Sequence, residues 1–256
     1  MRTQAINDGT ESTVTLDVLA RLRGDIVDGK LAPGTKLRFA DLRDGYGVGM
    51  GTLREALSRL VPEGLVMLDA GRGFSVAAVS MEDLLDIKSL RVEFERRAIV
   101  ESVRHGDERW ETRVVTTFHR LSTVSRLPPE ERLRRHSDWI QRHRDFHSAL
   151  VSACPSKRVL QFRAVLFDQA ERYRILSIRH RPRQQDKHEE HEEIKTACLA
   201  RKADLAGDLI VRHIDGTVDN VLKYSPQFRT KSRKGAPAEA RAAEARAVAP
   251  AALERA

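Results

Sequence analysis

From Thr15 the apolar residues Leu16, Leu19, Leu22, Ile26 and Val27 recur at the spacing of one helix face, and Gly29 ends the pattern. Pro33-Gly34 predicts a turn, followed by a short helix over 39–45 with Leu42 facing inward. Gly47-Val48-Gly49-Met50-Gly51 reads as a second turn. A third helix is predicted over 52–63, where Thr52 and Glu55 match a capping box and Leu53, Leu57, Leu60 and Val61 form the inner stripe. The period then changes. Val66 and Leu68 alternate, Asp69-Ala70-Gly71-Arg72-Gly73 makes a basic, glycine-rich tip, and Phe74, Val76 and Val79 continue beyond it, which predicts a β-hairpin. Three short helices and a hairpin wing predict a winged helix-turn-helix over 13–79, preceded by a polar, flexible arm at 1–12.

Beyond Ser80 only helical patterns remain. Ser80 with Asp83 caps a long helix whose inner positions are Ile87, Leu90, Phe94, Ala98 and Ile99, ending near Gly106. Further helices are predicted at 107–125, 130–153, 157–178, 184–201 and 203–224, with Pro128-Pro129 and Pro155 as breaks. On the fourth, Leu160, Val165, Leu166, Ala170 and Tyr173 are read as inward. Short loops between six or seven helices predict an antiparallel all-α bundle over 80–225, with room for an interior site. Residues 226–256 hold almost no large apolar side chains and read as a disordered tail. The fold class is therefore mainly α, a winged domain followed by a helical bundle.

Composition alters this picture little. With 41% hydrophobic and 32% charged residues, the chain fits a soluble, largely helical protein. No apolar run of about 18 residues and no leader pattern are present, which predicts a cytoplasmic protein without a membrane partner. Cys154 and Cys198 give neither a disulfide framework nor a zinc knuckle. The net charge of +8 invites an acidic partner, but much of it lies in the tail, where seven basic residues face three acidic ones. Across 13–79 nine basic residues meet eight acidic ones, so placement must carry the argument for DNA.

Placement does so. The second helix of a helix-turn-helix enters the major groove, where arginine pairs with guanine O6 and N7. That helix offers Arg54 and Arg59, with Thr52 at its amino end, where free N–H groups suit a phosphate. Arg72 at the wing tip suits a minor groove or phosphate, and Lys36, Arg38 and Arg43 flank the second helix as backbone grips. Each taken alone could be an ordinary solvated charge, and Arg54 could pair within the domain. Residues 16–79 resemble the GntR family, in particular its FadR-like branch. The words that carry the likeness are Leu31-Ala32-Pro33-Gly34-Thr35-Lys36-Leu37, Leu53-Arg54-Glu55-Ala56-Leu57-Ser58-Arg59-Leu60, Glu63-Gly64-Leu65-Val66 and Gly71-Arg72-Gly73-Phe74-Ser75-Val76. The family's Val-Ser-Arg-Thr-Pro turn is replaced here by Val48-Gly49-Met50-Gly51-Thr52, so base preference should differ and Arg54 should do more of the reading.

Among nine histidines, His143 and His147 lie four apart on one helix face, with His191 and His213 on the last two helices. Converging imidazoles could hold a divalent transition metal such as zinc or nickel, though spacing alone equally fits polar residues on a surface. Residues 80–224 resemble the all-helical FCD ligand-binding domain through Arg91-Val92-Glu93-Phe94-Glu95 and His143-Arg144-Asp145-Phe146-His147. That likeness implies a metal site at His143, His147, His191 and His213, with His143 standing where the family has an aspartate. Asp145 would point to another face, and Ser156 stands where many relatives have asparagine. Effectors of such domains are commonly small carboxylates, for which Arg91 is a candidate contact; a salt bridge to Glu95 is its alternative. The sequence thus predicts a homodimeric regulator of a double-stranded operator, tuned by a small organic acid. A DNA-binding architectural protein without effector is the rival. A zinc-protease reading fails, because Arg144 follows the first histidine where a basic glutamate is required.

Overall fold

The computed structural model describes residues 4–178 and 188–228. The head begins with α1 (Gln4–Val27), whose inner face is Val18, Leu19, Leu22, Ile26 and Val27, all buried, while Leu16 is exposed. Helical backbone thus runs back through most of the segment expected to be an arm; once a helix is nucleated, propagation needs no apolar stripe. After β1 (Lys36–Leu37) come α2 (Phe39–Tyr46) and α3 (Met50–Leu60). Gly47 closes α2 in the left-handed region at φ 69°, its N–H donating to the Arg43 carbonyl at 2.9 Å. The capping box expected at Thr52 does not form. Gly49 is the N-cap with no side-chain bond, Thr52 lies inside the first turn, and Glu55 accepts from Arg59 and Thr15 instead.

The wing is β2 (Val66–Asp69) paired antiparallel with β3 (Gly73–Val76), Asp69 opposite Gly73. β1 adds to the far side of β3, giving the order β1-β3-β2, a third strand that two residues were too few to announce. Leu53, Leu57, Leu60 and Val66 are fully buried in the head's core, each contributing roughly 1.5–3 kcal/mol. Leu68 leaves that core and is exposed, while Val61 packs against it half-buried.

The bundle comprises α4 (Met81–His105), α5 (Glu108–Ser125), α6 (Pro129–Arg134), α7 (His136–Leu150), α8 (Lys157–Ile178), α9 (His188–Leu199) and α10 (Ala203–Tyr224). Ser80 caps α4 by accepting from the Asp83 N–H, as its sequence predicts. The helix expected over 130–153 is broken in two at Arg135. Ser156 Oγ accepts from the Val159 N–H at 3.3 Å and caps α8. α4 packs on α10 and α8, and α5 on α7 and α9. Beyond α10, Pro226–Phe228 forms a single 3-10 turn that stacks Phe228 on Tyr173, ring centroids 6.0 Å apart. Folded chain therefore runs three residues into the predicted tail; the rest of that tail lies outside the described residues.

Head and bundle share a packed seam along α7 and α8. Ile140 and Ile175, both buried, and Trp139 beside them join the hydrophobic core of the head. Gln169 Nε2 donates to the Glu63 carbonyl at 2.8 Å, and Arg172 donates to the carbonyls of Gly64 and Ala77. Arg23 binds Glu63 and lies 3.9 Å from Asp168, which in turn pairs with Arg144. Gly64 sits at φ +67°, and a Cβ there would overlap Gln169 Nε2. Gly64→Ala is expected to cost about 1–3 kcal/mol through the left-handed backbone and the displaced Gln169. A thermal unfolding scan checks it, and an unchanged Tm would show that the seam gives way freely.

Candidate functional site

The arginines and the lysine predicted to contact DNA are exposed on the head. Arg54 projects from α3 and its guanidinium lies 5.7 Å over the ring of Phe39, itself edge-on to Phe74 of the wing at 6.0 Å. Phe39 therefore braces Arg54 from the sheet side. Arg54 has no ion-pair partner among the described residues, since Glu55 pairs with Arg59 at 2.5 Å. Arg59 is accordingly the less available of the two. Lys36, Arg38 and Arg72 are exposed, and Arg43 is exposed beside Asp44 at 3.5 Å. Gly49, Met50 and Gly51 open α3 without a side-chain cap, so no capping side chain satisfies its first-turn N–H groups.

Inside the bundle the four predicted histidines converge. His143 and His147 of α7, His191 of α9 and His213 of α10 are all buried, and one nitrogen from each lies within 4.8 Å of the others. The His147 and His191 Nε2 atoms are 3.4 Å apart. Burial, reinforced by neighbouring histidines and arginines, holds the His143 and His147 pKa values well below the ordinary imidazole value. Both are neutral at neutral pH and present lone pairs. Their Nδ1 atoms are buried without a hydrogen-bond partner. Four imidazoles at this spacing fit a borderline transition-metal ion such as zinc or nickel. Asp145 faces solvent and accepts from Gln141, so it is not part of the cluster.

Around the imidazoles lies a ring of buried charge that sequence reasoning missed. The buried face of α8 is Val159, Arg163, Phe167, Ala170, Glu171 and Arg174, whereas Leu160, Val165 and Leu166 are only half-buried. Charged residues default to the surface in any pattern reading, which hid this stripe. Its only signal was the i, i+4 recurrence of Arg163, Phe167 and Glu171. Arg91, the predicted effector contact, lies 3.6 Å from Glu95 and 4.8 Å over the Phe167 ring. Arg163 shares both neighbours, 3.0 Å from Glu95 and 4.5 Å over Phe167. Burial pulls the Arg91 pKa down against the pull of Glu95 and Glu171. Trp139 stacks on His143 at 4.8 Å, with Arg174 on Trp139 at the same distance.

A winged helix-turn-helix head joined to a helical bundle with a polar core is the architecture of a DNA-binding transcriptional regulator. Residues 15–76 match "Bacterial regulatory proteins, gntR family", and residues 86–216 match "FCD domain". The chain belongs to the GntR family, in its FCD-containing form. It is 41% identical over 204 residues to the HTH-type transcriptional regulator BphR of Paraburkholderia xenovorans, covering 80% of this chain and 83% of that one. To the HTH-type transcriptional repressor GlaR of Escherichia coli it is 37% identical over 207 residues, covering 79% and 93%. Among solved structures, E. coli McbR/YncC superposes with a TM-score of 0.69 at 17% identity, covering 82% of this chain and 97% of that one. A GntR-type regulator from Rhodococcus sp. RHA1 gives 0.66 at 22%, with the same coverage. At those identities the likeness is one of fold. The matched families and relatives are transcriptional regulators and not enzymes. No helix among the described residues is long and apolar enough to cross a membrane.

Proposed function

We propose that this chain is a metabolite-responsive repressor whose homodimer binds a pseudo-palindromic operator in the cytoplasm and releases it when a small organic acid enters the bundle. The observation that carries this reading is the shared seam. α7 holds His143 and His147 and, one turn earlier on the same face, seats Ile140 in the head's core. Whatever shifts α7 against α9 and α10 must therefore shift the head as well, which is the differential contact a population change needs.

His143, His147, His191 and His213 would hold the metal, which supplies a Lewis-acid anchor for carboxylate oxygens. Arg91 and Arg163 would take the effector's charge. Both have a buried Nε that makes no hydrogen bond and both stand over Phe167, which lends them to a ligand carboxylate. On the outer face, Arg54 would read bases, Thr52 and the uncapped amino end of α3 would meet a phosphate, and Arg59, Lys36, Arg38, Arg43 and Arg72 would grip the backbone. Repression is inferred from the relative that is named a repressor.

The test is an operator titration with and without a panel of small mono- and dicarboxylates, on protein of known metal content. Release by one class of acid supports the reading, while indifference to every acid would favour the architectural alternative. Arg72→Ala is expected to weaken binding to all sequences alike and to reduce the salt slope by about one. A sequence-selective loss in a salt-series titration would make Arg72 a base reader.

A further inference from the structure

Two carboxylates stand directly behind the imidazoles. Glu171 is fully buried on α8, and its Oε2 lies 3.7 Å from His143 Nδ1, the nitrogen left without a hydrogen bond. Arg174 grips the same carboxylate through Nε at 2.7 Å and a second nitrogen at 2.5 Å. That two-pronged grip on both carboxylate oxygens is the geometry of an arginine–carboxylate ion pair. From α9, Glu190 Oε2 lies 2.7 Å from His213 Nδ1. Glu190 is half-buried and immediately precedes His191 on α9.

An imidazole that donates Nδ1–H to a carboxylate is locked in one tautomer, with the Nε2 lone pair turned the other way. The same hydrogen bond raises the basicity of Nε2. Imidazoles ligate a metal in their neutral form, so a four-histidine ligand set leaves a divalent ion's charge uncompensated, and the carboxylates beside the outer ring nitrogens are the nearest source of compensation. We propose that Glu171 and Glu190 are the outer-shell partners of the metal centre, fixing the Nδ1–H tautomers of His143 and His213 and supplying the negative charge that the ligands lack. This rests on the reading of the four histidines as ligands. The two residues are positioning residues, since neither needs to touch the ion.

The pairing has a consequence at position 143. A carboxylate placed there would sit against the buried Glu171, and two like charges at that separation disfavour each other. Removing the Glu171 charge frees Arg174 for the new carboxylate. An aspartate at 143 and a charged Glu171 are therefore alternatives.

The experiment is a chelator-competition titration of zinc on the full chain, with 15N spectra of the imidazoles in the same samples. Glu171→Gln and Glu190→Gln are each expected to keep one ion per chain and to weaken its binding about 10- to 100-fold. Glu190→Gln should also remove the Nδ1–H signal of one histidine tautomer. His143→Asp should bind zinc more weakly than wild type, and His143→Asp/Glu171→Gln more tightly than His143→Asp. Should Glu171→Gln fail to fold because Arg174 is stranded, Glu171→Gln/Arg174→Met removes both charges together and carries the same expectation. Wild-type affinity and unchanged tautomers in both glutamine variants would overturn the proposal while leaving the histidine site standing. A wild-type chain that takes up no zinc would overturn the histidine site itself and the proposal with it.

Discussion

Protein grown with added zinc or nickel is expected to carry about one transition-metal ion per chain, and the His147→Ala/His213→Ala variant to carry none. Two of the four donors are lost in that variant, from two different helices, leaving His143 and His191 too few to close a site. The ion binds only the folded bundle, so it stabilises by mass action, about 4 kcal/mol at a free concentration a thousandfold above Kd. A rise in Tm with metal, absent in the double variant, is the accompanying signature. Elemental analysis of both proteins decides the matter. Equal metal in the two would return these histidines to being polar residues in a core.

The pH dependence has a definite sign. In the unfolded chain the histidines titrate near 6.5, whereas His143 and His147 are held well below that in the fold. Below about pH 6.5 the unfolded state therefore takes up protons that the folded state refuses. Stability is highest above that value and falls as pH drops from there toward the folded pKa values. Metal release follows the same direction, because protons and the ion compete for the same lone pairs. Unfolding scans between pH 8 and pH 5, with and without chelator, measure both. A flat profile in the metal-free protein would mean that the imidazoles are hydrated rather than buried.

The second large effect is expected at Arg54. Arg54→Ala should cost about 1–3 kcal/mol per half-site, roughly doubled for a dimer on a symmetric operator, while leaving non-specific binding in place. Arg59→Ala should cost less, since Glu55 already holds that guanidinium. Gel-shift titrations on operator and on scrambled DNA separate the two residues. An Arg54→Ala protein that folds and binds its operator as tightly as wild type would remove Arg54 from the base-reading role. Phe39→Leu offers a finer check, because it removes the ring that braces Arg54 and keeps the core volume close to native.

The sequence by itself determined the order of parts, the helix-turn-helix and wing, and the four histidines, because each rests on local chemistry. Apolar periodicity fixed α3 and α4 to within a few residues, and Ser80 with Asp83 fixed where α4 begins. Local chemistry also misled at Thr52 and Glu55, where a capping motif yielded to Arg59 and Thr15 as partners for the glutamate. What only the tertiary structure decided is what lies between distant segments. Arg163, Glu171 and Arg174 are buried because α4, α7 and α8 bring opposite charges and the Phe167 ring around them. Nothing in a single helix's pattern can show that a charge is compensated by a residue some 70 positions away, as Arg163 is by Glu95. The seam has the same origin. Ile140 and Ile175 lie on helices that the sequence assigns to the bundle, and only the folded chain gives them to the core of the head. Periodicity records which face of an element is apolar, whereas the partner of that face, and the charge it can tolerate, is set by packing across the whole chain.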